Sequence, residues 1–122
     1  MDNNNAGLSD PLDADRLWEE ICRNARSALQ DERIFVSTKR GQRYRVAAVD
    51  EDQILITRVD GSATETLRRS DIARAVKRLE LGLGRVPRQS LNYTVAKEVA
   101  MVEFSSRLQW DSTSDFIEMV NR

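Results

Sequence analysis

A chain of 122 residues with 32% charged and 40% hydrophobic residues and a net charge of −1 has the size and composition of one soluble domain with a single core. One cysteine and no histidine exclude an internal disulfide, a cysteine-rich zinc site, histidine-ligated metals and the Ser-His-Asp and Cys-His nucleophile systems. The longest uninterrupted apolar stretch, Val99 to Val102, is too short to span a bilayer, and Met1 to Ser9 lacks the regions of a secretory signal, so no membrane contact and cytoplasmic residence are expected.

Residues 1–10 are polar, Asn-rich and without periodicity; they read as a disordered tail before a single domain over 11–122. Asp13 is placed to cap a helix starting at Ala14, with Leu12 and Leu17 as the apolar pair around the cap. Leu17, Trp18, Ile21, Cys22, Ala25 and Leu29 follow at helical spacing on one face, where Cys22 reads as a small buried hydrophobe. From Arg33 the period falls to two. Ile34 to Ser37, Arg43 to Val49, Ile54 to Val59 and Thr64 to Leu67 read as strands, and their short polar turns imply antiparallel neighbours.

If the first two turns are two-residue hairpins, Arg45 lies opposite both Val36 and Arg58, Phe35 opposite Val46, and Ala48 opposite Leu55. One face then collects Phe35, Tyr44, Val46, Ala48, Leu55 and Val59. The other holds Ile34, Val36, Ala47, Val49, Ile54 and Ile56 beside Arg43, Arg45 and Arg58. A sheet apolar on both sides must be covered twice or curl into an open barrel.

Ser70 or Asp71 is placed to cap the next helix, with Ile72, Ala75, Val76 and Leu79 inside and Arg74, Lys77 and Arg78 outside; Gly82 and Gly84 stop it, and Pro87 blocks its continuation. A longer helix is expected from Asn92 to near Leu108, with one stripe of Val95, Val99 and Val102 and another of Met101, Phe104 and Leu108. A short helix over Ser114 to Val120 would cover one of them. The fold class that results is α+β: an N-terminal helix, an antiparallel meander of about four strands and a helical C-terminal third.

Charge is unevenly distributed along this order. Residues 33–88 hold 13 basic against 7 acidic side chains, whereas both flanks are acidic. Clustered positive charge is the usual trace of a polyanion-binding surface. Lys39, Arg40, Arg43, Arg45, Arg58, Arg68, Arg69, Arg74, Lys77 and Arg78 are therefore the candidate nucleic-acid or anion contacts. Arg45 and Arg58 stand out among them, because like charges directly opposite on a sheet repel unless an anion, or Glu65 on the next strand, lies between. With 6% aromatic residues and Phe35 and Tyr44 on the expected core face, a base-stacking platform is not supported.

The remaining motifs are structural. Asp50-Glu51-Asp52 lacks the spacing of a calcium loop and reads as a hairpin turn, Gly82-Leu83-Gly84 follows a helix and reads as its stop, and Asn92-Tyr93-Thr94 is a chance glycosylation triplet. No catalytic, metal or cofactor site is nominated. Two functions are in competition: a non-catalytic module binding nucleic acid or another polyanion through the basic surface, or a protein-interaction module whose partner, a second copy or another chain, covers Met101, Phe104 and Leu108.

Overall fold

Asp13 opens the first helix, α1 (Ala14–Gln30), by accepting the backbone N–H groups of Asp15 and Arg16 at 2.9 and 3.2 Å. In the computed structural model, residues 12–37, 41–111 and 113–120 are described; the expected tail, Lys39 and Arg40 lie outside them. Helix α1 buries Leu17, Trp18, Ile21, Cys22, Ala25 and Ala28, so its last inner residue is Ala28, and Leu29 is exposed.

The meander follows as β1 (Ile34–Val36), β2 (Arg43–Val49), β3 (Gln53–Arg58) and β4 (Thr64–Arg68), an antiparallel sheet in the order β1-β2-β3-β4 that does not close into a barrel. Its inner face carries Phe35, Tyr44, Val46, Ile54, Ile56 and Leu67 into the same core as α1. The expected registers change in two places. Phe35 pairs with Tyr44, not Val46, because the first hairpin closes through a longer turn from Ser37 to Gln42; this shift of two residues keeps every side chain on its face.

The second change matters more. Ala48 is opposite Leu55 as expected, but a bulge between Val46 and Ala48 places Val46 opposite Ile56, Arg45 opposite Thr57 and Tyr44 opposite Arg58. A straight ladder would have turned Leu55, Thr57 and Val59 inward; the bulged one buries Ile54 and Ile56 completely. The bulge thus gives the core two isoleucines in place of Leu55, the polar Thr57 and Val59, which avoids turning a hydroxyl inward and offsets the ~1 kcal/mol of a lost ladder bond. The outer face is left with Arg43, Arg45, Thr64, Thr66 and Arg68 around Leu55, and it has no need of a second cover.

Helix α2 (Arg69–Leu81) begins directly after β4, and Asp71 accepts the Arg68 N–H at 2.8 Å from inside the first turn. Ile72, Ala75, Val76 and Leu79 face the core as expected. Gly82 ends the helix, and Leu83 and Gly84, at φ of 57° and 94°, turn the chain away. After β5 (Arg85–Pro87) and the single turn α3 (Arg88–Leu91), helix α4 spans only Val95–Glu103.

The C-terminal helices are joined by a second sheet. In place of a helix to Leu108 and another over Ser114 to Val120, the chain forms β6 (Leu108–Asp111) and β7 (Phe116–Met119), with β7 between β6 and β5. Val86 and Trp110 both pair with Ile117. The carboxylate of Asp111 fixes the hairpin by accepting the N–H groups of Thr113 and Ser114 at 3.0 and 3.4 Å. No helix among the described residues is long and apolar enough to cross a membrane.

Candidate functional site

Among the described residues, the candidate basic side chains do not form one surface. Arg43 and Arg45 lie two apart on β2 and project from the open outer face of the sheet, with Arg68 farther along on β4. Arg68 donates to Gln53 at 3.3 Å, whereas Arg43 and Arg45 meet no carboxylate among the described residues. The Arg45–Arg58 opposition is absent: the bulge turns Arg58 to the inner face, opposite Tyr44, where its nearest acidic partner is Asp60 at 3.9 Å. Glu65 is opposite Ile56 and therefore diagonal to Arg58.

Past the sheet, Arg69 pairs with Asp15 at 2.8 Å, which raises its pKa above the usual range through that hydrogen bond. Arg74 lies over the Tyr93 ring at 4.9 Å and donates to the Leu91 carbonyl. Lys77 and Arg78 are exposed on the outer side of α2. Because α2 buries its opposite side in the core on the inner face of the sheet, its cations point away from those of β2. The Asp50-Glu51-Asp52 segment is a turn, with Asp50 accepting the N–H groups of Asp52 and Gln53 at 2.8 and 2.9 Å.

The apolar stripes of α4 exchange roles. Met101, Phe104 and Leu108 are 0%, 1% and 4% exposed, so they are core and present nothing to a partner. The helix ends before Leu108, and Phe104 turns inward to meet the Phe35 ring edge-on at 5.1 Å. The stripe left open is Val95, Val99 and Val102. It forms one wall of an apolar groove of about 140 Å³, which β1 closes with Val36 and the second sheet closes with Trp110.

An ion cluster adjoins that groove and contributes Arg88 and Glu98 to its lining. Arg88 donates to Asp115 at 2.8 and 3.1 Å and to Glu98 at 3.1 Å, and the Trp110 indole N–H reaches Asp115 at 3.0 Å. Side-chain exposure is 22% for Arg88 and 7% for Glu98. Hydrogen bonding to Asp115 holds the Arg88 guanidinium charged, above its usual range. The carboxylate of Glu103, at the other rim, pairs with Arg33 at 2.9 Å.

The groove adjoins a free sheet edge. The Ser37 N–H donates to the Gln42 carbonyl at 2.8 Å and the Val59 N–H to the Arg43 carbonyl at 2.9 Å, which fixes the alternation: Phe35 and Ser37 turn their backbone groups toward β2. Ile34 and Val36 turn theirs outward, with no partner among the described residues. Their side chains are 41% and 48% exposed.

Periodicity shows both apolar stripes in the sequence, but not which of them the fold buries. Trp110 and the Arg88–Glu98–Asp115 cluster carry no signal in the sequence, because the strand next to Asp115 that brings it to Arg88 fits a helical face equally well. Compared with known protein families, with curated proteins and with solved structures, the chain matches none.

Proposed function

We propose that this chain is a non-catalytic protein-interaction module that receives an apolar segment of a partner in the groove between α4, β1 and β6. The observation that carries the reading is the valine stripe: Val95, Val99 and Val102 stay only partly buried, lining a groove, on a helix whose other apolar residues are buried. A concave apolar site rimmed by fixed polar groups is the usual form of a recognition groove. The ion cluster beside it fixes the polar part of the lining, since each member is held by at least one hydrogen bond. Selection of peptides from a random library against the wild type and against Val99→Glu tests the reading. Peptides enriched on the wild type and lost on the variant are expected; a shared set of binders, or none, overturns it.

A second reading rests on a different observation, the two outer-face arginines without a carboxylate. Together with the threonines beside them they would hold the phosphates of a nucleic acid without reading its bases. Anisotropy titration of unrelated duplex and single-stranded oligonucleotides over a salt series tests it. Binding whose log–log salt slope falls by about two units in Arg43→Ala/Arg45→Ala supports it; no binding at low salt removes it.

A further inference from the structure

We infer that the occupant of the groove is an extended segment, alternating apolar and acidic residues, that adds to the free edge of β1 as a further antiparallel or parallel strand. The inference rests on the protein-interaction reading and specifies the conformation and chemistry of the partner.

Three observations converge on it. The first is the edge. The outward N–H and C=O groups of Ile34 and Val36 are the pairs an incoming strand uses, and main-chain hydrogen bonding to such an edge is a common way of capturing an extended peptide. The second is the position of the groove. A strand added to β1 runs about 4.8 Å beyond it, on the side where Val36, Val99 and Val102 line the groove. Its inward side chains, every second residue, enter that apolar space.

The third is charge. Side chains on the outer face of the added strand lie beside Ile34 and Val36, whose own partners on β2 are Arg45 and Arg43. Those two guanidiniums meet no carboxylate among the described residues, and their length lets them reach across β1 to an acidic side chain on the next strand. The inner side is the reverse. Glu98 and Glu103 line the groove already paired with Arg88 and Arg33, so a carboxylate placed inward would enter an apolar space whose nearby cations are engaged. The edge thus selects apolar residues inside and acidic ones outside, which also fixes the register.

Other occupants fit less well. A helix lying in the groove would leave the outward groups of Ile34 and Val36 unused. A second copy pairing through its own β1 would bring another Arg43 and Arg45 to the same face, and its Phe35 is already buried in its own core.

The test uses the full chain and a synthetic peptide alternating valine and glutamate. Trp110 at the groove wall provides a fluorescence signal that Trp110→Phe removes, and amide exchange followed by NMR reports on the edge. Exchange at the Ile34 and Val36 amides should slow by about tenfold or more when the peptide is bound. Val36→Pro deletes an outward donor without touching the bonds to β2, and N-methylation of alternate peptide amides does the same from the other side; each should weaken binding by about tenfold. Arg43→Glu/Arg45→Glu should reverse the preference toward a valine–lysine peptide.

Peptide binding that depends on Val99 but leaves the Ile34 and Val36 amides unchanged overturns strand addition while the interaction reading stands. No binding of the alternating peptide by a chain that enriches other peptides through Val99 has the same meaning. Loss of every Val99-dependent binder overturns both. A dimer in sedimentation that Val36→Pro dissociates replaces the acidic segment with a second copy and also overturns the inference.

Discussion

Arg88 is the side chain on which the second sheet and α4 depend for their polar connection. It leaves a three-residue strand, enters a single helical turn and ends between Asp115 and Glu98, a carboxylate with 7% of its side chain exposed. Replacing Arg88 with Met keeps the aliphatic stem but leaves Glu98 buried without its cation, which is costlier than losing both charges. Arg88→Met is expected to destabilise the fold by about 3 kcal/mol. Arg88→Met/Glu98→Gln should be the more stable of the two, an inversion that urea unfolding midpoints of the single and double variants will reveal. The same residue shows what was unreadable in sequence. Arg88, Glu98 and Asp115 are ordinary charged residues at unrelated spacings, and only the β5–β7 pairing brings two of them together.

At the scale of elements, α4 gives the clearest contrast, because its two apolar stripes have opposite fates. Phe104→Ala, which removes a ring packed against Phe35, should cost about 3–5 kcal/mol, and Met101→Ala about 2–4 kcal/mol. Val99→Ala, on the open stripe, should cost less than about 1 kcal/mol, since its contacts are already partial. Thermal or chemical unfolding of the three variants separates them. A large loss at Val99 would mean that the groove is part of the core and not a recognition surface. Periodicity revealed both stripes, but it does not say which one is covered. The N-terminal helix, the meander and the body of α2 were legible because their signals agree, with Asp13 as cap and Gly82 as stop. Helix α2 starts earlier than expected, at Arg69, so that Asp71 is not its cap but the third helical residue, reaching back to the Arg68 N–H. Strand β7 was not legible, because Phe116, Ile117 and Val120 fit a helical face as well as a short strand. The β2 bulge was hidden for a related reason. Ala47 and Ala48 are small enough to stand on either face, so the alternation cannot show where it breaks.

For the whole molecule, the net charge of −1 conceals where protons are gained and lost on unfolding. The Asp111 carboxyl is held below its usual range chiefly by the Ser114 hydroxyl, and that of Asp60 by Ser62. Above the unfolded-state pKa of these groups their contribution is complete; it is lost as pH falls through the lower folded values, so acid weakens the β6–β7 hairpin. The alkaline side has the opposite origin. Burial pushes the Tyr93 hydroxyl, which donates to the Asp71 carbonyl, up to about 12, and it raises the Cys22 thiol as well. Both groups stay neutral in the folded chain after they ionise in the unfolded one. Between the unfolded and folded values the native state therefore binds more protons, and stability must fall as pH rises. Stability should thus hold near neutrality, begin to decline above the ordinary thiol value of 9.0, and decline further from the ordinary phenol value of 10.0 to about 12. Tyr93→Phe separates the two contributions. It should lower stability at neutral pH by about 1 kcal/mol through the lost hydrogen bond, yet flatten the decline above pH 10 that Tyr93 causes. Urea unfolding midpoints of wild type and Tyr93→Phe across the alkaline range check this, and parallel curves would show that Tyr93 is not the group responsible.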